Sequence, residues 1–347
     1  MGGSPRHLCR HTPRDGVSVK RDQLLLALDF GGTKLTAGLA ATANLTKSGG
    51  RRWRAHRRVS SPPGSNAQSD LEIVMGLARD LLATAEAPLA AVGVSFGGPV
   101  DAAQGLVLLS HHVPGWEKVP LREWLEERLG VPAAVDNDAN AGALGEWRFG
   151  AGQGCDSLLY VTVSTGIGGG WIVHGRPYRG ADGMAGEIGH VVIDLNGPAC
   201  ICGKRGCLEA LAAGPAIARR ARERLVENPQ AGQTLRALIG GEVQAVTARH
   251  VSQAAEAGDE LSRQVLDEAA RALGRGIGSA ISLMNPQRVV VGGGVAKSGQ
   301  RYFEAVRAAA RATALPEMTV EIVPAALGDD APLWGAVALA EDLVSDR

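Results

Sequence analysis

Between Gly186 and Glu209 the chain places one imidazole and three thiols, those of His190, Cys200, Cys202 and Cys207. These donors make a full tetrahedral set for zinc and leave no position open for water. The only other cysteines, Cys9 and Cys155, lie far apart, so the spacing favours a metal over a disulfide framework. A closed site of this kind scaffolds the chain and does no Lewis-acid chemistry. It stiffens a segment with a carboxylate on each side, Glu187 and Glu209, and the fold must present both.

The rest of the sequence reads as a duplicated α/β protein. An apolar strand, Leu24 to Asp29, runs into the turn Gly31-Gly32-Thr33 and then a second strand from Leu35 to about Ala40. Leu158 to Val163 repeats the plan, followed by a glycine turn over 164–170 and a strand over Trp171 to Val173. Between the two units the pattern predicts helices over 69–85 and 121–129, strands over 91–95 and 131–135, and a small-residue helix over 138–147. Later come a helix over 259–284 stopped by Asn285-Pro286, a strand over 288–291 and a closing helix near 331–344. Two such units imply two lobes with a cleft between them. At 347 residues the chain is long enough for two real cores.

Three glycine turns, at 31–32, 166–170 and 292–294, each follow an apolar strand. Glycine there exposes backbone N–H groups to anionic oxygens. With 47 glycines in the chain, single turns mean little; three of them, with Asp29 ending the first strand, point to a nucleotide whose phosphates cross the cleft. Asp136-Asn137-Asp138 enters a helix at a strand end, where a carboxylate can cap the helix or accept a proton from a hydroxyl.

Formal net charge is zero, and no apolar run approaches the ~20 residues of a membrane span, so neither nucleic acid nor membrane is an expected partner. The arginines at 51, 52, 54, 57 and 58 alternate with Trp53, Ala55 and Val59 and read as the solvent edge of a strand. Residues 1–22 carry no apolar stretch and are expected to form a disordered extension. The sparse cysteines fit a reducing, cytoplasmic setting.

The motifs together resemble the ROK family (repressors, open reading frames, kinases) of the hexokinase/actin-like ATPase superfamily. The matching segments, in order, are LDFGGTK (28–34), GVSFGGPVD (93–101), VPGW (113–116), DNDANAGALGE (136–146), STGIGGG (164–170), GEIGH (186–190), CICGKRGCLE (200–209) and VVVGGGV (289–295). The resemblance implies a two-lobed actin-like ATPase fold, built from duplicated ribonuclease H-like units, with a structural zinc loop over 190–207. The first lobe would span 23–142 and be completed by the helix at 331–347; the second would span 143–330. It also implies ATP-dependent phosphorylation of a hexose, most simply glucose.

Asp138 then matches the general base, and Gly98, Asn137, Glu187, His190 and Glu209 match sugar contacts. Asp29 would hold Mg²⁺ through water, while Gly31, Gly32, Thr33, Lys34, Thr165 and Gly166 would cradle the phosphates of ATP. Gly293 and Gly294 would lie against the adenosine. His190 would serve both zinc and sugar. Where family members often carry Asn as a sugar contact this chain has His112, and Gly97 replaces a common proline. Alternatives are a kinase of N-acetylmannosamine or N-acetylglucosamine, and a sugar-responsive repressor; about 22 residues before the first strand are too few for a DNA-binding module. The resemblance favours a homodimer or homotetramer.

Overall fold

The structure, a computed structural model, describes residues 22–45, 52–110 and 113–345. The chain runs β1 (Leu24–Phe30), β2 (Lys34–Ala41), β3 (Ala55–Ser60), α1 (Ala67–Leu82), β4 (Leu89–Phe96), the short pair β5 (Val100–Asp101) and β6 (Leu106–Val107), α2 (Leu121–Leu129), β7 (Ala133–Asn137) and α3 (Asp138–Phe149). It continues through β8 (Leu158–Val163), β9 (Ile167–Val173), β10 (Arg176–Tyr178), α4 (Leu208–Ala212), α5 (Gly214–Glu227), α6 (Gln233–Leu238), α7 (Ala248–Glu256) and α8 (Glu260–Met284). It closes with β11 (Arg288–Gly292), α9 (Gln300–Thr313), β12 (Glu321–Pro324) and α10 (Ala331–Ser345).

The described residues form two main sheets with one plan. The first has strand order β3–β2–β1–β4–β7 and the second β10–β9–β8–β11–β12. In each, three strands meander antiparallel and two more add in parallel through helical crossovers. The parallel strands read as near-continuous apolar runs because helices cover both faces. Helices α1 and α2 pack with one face of the first sheet through Leu71, Val74, Leu121 and Leu125. The other face, with Leu25, Ala27 and Ala91, is covered by α10 through Trp334, Val337 and Leu339. The C-terminal helix thus completes the core around the N-terminal strands. The second sheet packs on α5, α7, α8 and α9 through Leu159, Val161, Ile217, Leu273 and Val306.

Local chemistry sets the element ends. Helix α1 starts at 67, two residues earlier than its periodicity suggests, because Asn66 caps it in a capping box with Ser69. Helix α2 ends at Leu129 because Gly130 takes the left-handed conformation, φ +67°. Helix α8 ends at Met284 with Asn285 at φ +43°, just ahead of Pro286. The glycine turn expected over 164–170 is shorter: only 164–166 turn, and β9 already begins at Ile167. Glycines continue into that strand because α3 presses on it; a Cβ on Gly170 would sit 2.5 Å from the Ala139 carbonyl oxygen.

Asp22, assigned from sequence to the extension, is instead tied to the body: it pairs with Arg54 at 2.7 Å and accepts from the Ala43 N–H. Residues 1–21, Arg51, His111 and His112 lie outside the described residues. No helix among the described residues is long and apolar enough to cross a membrane.

Candidate active site

The two sheets present the ends of β1, β4, β7 and β8 to one cavity of about 650 Å³. Its wall includes Gly32, Thr33, Gly98, Asn137, Asp138, Thr165, Gly166, Glu187, His190, Cys202 and Glu209, eleven of the residues singled out from sequence. Asp29, Gly31, Lys34, Gly293, Gly294, Cys200 and Cys207 do not line it, and His112 is outside the described residues.

From the first sheet come the acids. At the end of β1, Asp29 accepts a 2.7 Å hydrogen bond from the Ser95 hydroxyl on β4. Burial pushes its carboxyl up to about 6, with Ser95 and the Arg58 cation pulling it back. Under this end of the sheet Trp116 is 1% exposed and packs edge-on against Phe30 and Phe96, with ring centroids at 5.4 and 4.8 Å. At the end of β7, Asn137 caps α3: its Oδ1 accepts from the N–H groups of Ala139 and Asn140, and its Nδ2 donates to the Gly98 carbonyl at 3.0 Å. One amide hydrogen therefore remains for a ligand. Asp138 is the first helical residue, half-buried on the cavity wall. Burial first, then the charge of Asp29, push its carboxyl up to about 7, against the lowering effect of the Ala139 N–H. A carboxyl poised near neutrality at a helix start can take up and release a proton.

From the second half come the β8–β9 turn and the side chains of the cysteine loop. The β8–β9 turn closes with the Ser164 N–H donating to the Gly166 carbonyl at 2.9 Å. Glu209, on α4, anchors this turn: its Oε2 accepts from the Ile167 N–H at 2.9 Å. Gly293, with φ +88°, lets β11 end against β8; a Cβ there would sit 2.3 Å from the Val163 carbonyl oxygen.

The donor atoms of His190, Cys200, Cys202 and Cys207 all lie within 4.8 Å of one another. The Cys202 and Cys207 sulfurs are 3.6 Å apart, and the Cys200 sulfur is 3.7 Å from His190 Nδ1. A tetrahedral ion with Zn–S of about 2.3 Å and Zn–N of about 2.0 Å requires edges of about 3.5–3.8 Å. These two edges match such an ion, and the whole set is compact enough to close on one. Burial and the neighbouring thiols push Cys207 up to about 12, so holding it as a thiolate calls for a cation. His190 offers Nδ1 to the cluster while the residue also lines the cavity.

Sequence reasoning missed several neighbours of the site. Lys204 and Met184 line the cavity, although Lys204 falls inside the recognised cysteine block. Arg58, grouped with a solvated arginine edge, does lie on edge strand β3 but pairs with Asp330 at 2.7 Å and donates to the Thr36 hydroxyl. Its partner is 272 residues away, so no local signal could reveal the pair.

A ROK family model matches residues 25–343. The chain is 34% identical to a glucokinase of Thermotoga maritima over 325 residues, covering 92% of this chain and 98% of that protein. It is 35% identical over 250 residues to a putative xylose repressor of Caldicellulosiruptor, covering 72% of this chain and 61% of the repressor. Among solved structures it is similar to a ROK family glucokinase from Streptomyces griseus in complex with glucose and AMPPNP. That likeness has a TM-score of 0.79 at 34% identity and covers 92% of this chain and 99% of that one. The chain belongs to the ROK family.

Proposed function

We propose that the protein is an ATP-dependent hexose kinase that converts glucose to glucose 6-phosphate, with Asp138 as the general base. The observation that carries this reading is the convergence of Asp138, Glu187, His190 and Glu209, drawn from both sheets, on one cavity. Phosphoryl transfer needs positioning and charge neutralisation more than covalent help. Asp138 takes the proton of the attacking sugar hydroxyl; its environment keeps it basic enough to do so at neutral pH. Gly98, Asn137, Glu187, His190 and Glu209 hold the sugar hydroxyls, with His112 as a further candidate contact.

Backbone N–H groups of the turns at 31–33 and 165–166, with Lys34, receive the phosphates, and the turn at 293–294 lies toward the adenosine. Asp29 has a carboxylate that gains from a nearby cation, which suits it to hold Mg²⁺ through water; the ion when bound neutralises phosphate charge. A structural zinc on His190, Cys200, Cys202 and Cys207 contributes on the order of 10 kcal/mol to folding of the loop and does no chemistry on the substrate.

The matched strand order and direction of the two sheets support an actin-like ATPase fold with lobes 23–142 plus 331–347, and 143–330. An N-acetylhexosamine kinase would use the same ring contacts and differ in the pocket for the 2-substituent. A repressor would have no use for a carboxyl poised like that of Asp138. ADP release by the purified protein with ATP and Mg²⁺, against glucose, mannose, fructose, N-acetylglucosamine and N-acetylmannosamine, tests the reading. Glucose should give the highest kcat/KM; no sugar-dependent ADP release with any of the five would refute it.

A further inference from the structure

Beneath the cavity a charged pair joins the two sheets. Asp136 is the residue before Asn137 on β7, the edge of the first sheet, and is 1% exposed. Its Oδ1 accepts from the Asn137 N–H at 2.9 Å and from Asn140 Nδ2 at 3.1 Å. Its Oδ2 accepts from Nε and Nη2 of Arg179 at 2.9 and 2.6 Å. Arg179 directly follows β10, the edge of the second sheet. It also opens the loop that carries Glu187: its carbonyl accepts the Ala185 N–H at 2.9 Å, and Gly183, Met184, Ala185 and Glu187 all line the cavity.

We propose that Arg179 is a positioning residue for phosphotransfer, locking the sugar-binding loop 179–187 to the strand end that carries Asp138. The inference rests on the kinase reading of the site. The geometry is specific. Asp136 meets the first turn of α3 with one oxygen and the loop with the other, so a single carboxylate fixes both parts of the site at once. Arg179 contributes two N–H groups in a fixed plane, which sets the direction of the loop as well as its distance; a lysine supplies a point charge and no plane. The Asp136 charge is buried, so the arginine also neutralises it, and loss of the cation alone would leave an unpaired charge under the site. Displacement of a reacting group by about 1 Å can cost on the order of 10²-fold in rate.

Two variants test this. Arg179→Lys keeps the charge and loses the plane; Arg179→Met with Asp136→Asn removes both charges and so keeps the protein foldable. Each is assayed with glucose and MgATP below its melting temperature, and hydrogen exchange is followed over 138–141 and 183–190. Arg179→Lys should lower kcat about 10-fold or more and raise the glucose KM, with the MgATP KM within about twofold of wild type. The double variant should regain thermal stability without regaining kcat, and in both variants the two segments should exchange faster together. Wild-type kcat and glucose KM in the double variant, or faster exchange confined to one segment, would overturn the proposal and leave a plain salt bridge. If the unaltered protein shows no sugar-dependent turnover, the kinase reading fails instead, and the exchange measurement still decides whether Arg179 couples the two segments.

Discussion

Asp138 feels the charge of Asp29, and burial raises the carboxyls of both. Burial makes ionisation costly for both, yet a base must be ionised to act. With Asp138 at about 7, the active form is lost as pH falls, so kcat/KM for glucose should drop through an acid limb near pH 7. A flat profile between pH 5 and 8 would contradict the role. The stability effect has the opposite sign. A carboxyl raised above its unfolded value favours the fold at low pH and loses that contribution as pH rises through about 7. Asp138→Asn, which never ionises, should therefore raise Tm relative to wild type more at pH 8 than at pH 5, as differential scanning calorimetry would report. The Asp136-Asn137-Asp138 triplet was legible as a strand end entering a helix, which by itself reads as a cap; the roles of Asp138 and Asn137 came only from the resemblance. Arg58 and Arg179 were not legible, because each finds its partner through the fold: Asp330 for one, Asp136 for the other.

At the scale of elements, the clustering of His190 with Cys200, Cys202 and Cys207 could be read in sequence because all four lie within 18 residues of chain. The glycines of 167–170 misled for a physical reason. Gly168 and Gly170 are small because α3 packs on β9, and Gly169 because Gly186 and Ile188 press on its other face; a packing glycine looks like a turn glycine until its neighbours are in place. The proposed zinc site makes a direct prediction: metal analysis should find about one zinc per chain. Stripping it with a chelator should raise the sugar KM and lower Tm together, since Glu187, His190 and Glu209 flank or belong to the cluster. Protein free of zinc with an unchanged sugar KM would contradict that account. Trp116 makes another. It supports the ends of β1 and β4 through Phe30 and Phe96, so Trp116→Ala should cost about 3–5 kcal/mol in urea unfolding. A loss below about 1 kcal/mol would show that the aromatic cluster does not hold those strand ends.

At the scale of the molecule, the duplication was visible as two strand–turn–strand units, but their relation was not. The shared strand order is a long-range fact, while the return of the C-terminal helix to the first sheet was implied by the resemblance and rests on packing of Trp334 and Val337 with Leu25 and Ala27. The consequence is a divided site. Asp29 and Asp138 ride on the first sheet, while Glu187, His190 and Glu209 belong to the second half, so in the proposed function both halves must hold one sugar. Two-lobed kinases close on their substrates, which brings such groups together. The most direct test of this division of labour is Asp138→Asn, with turnover by ADP release and glucose binding by calorimetry measured on the same sample. The account predicts a kcat reduced by about 10²–10⁴-fold with glucose affinity retained. Turnover at the wild-type rate, or loss of glucose binding along with turnover, would contradict it.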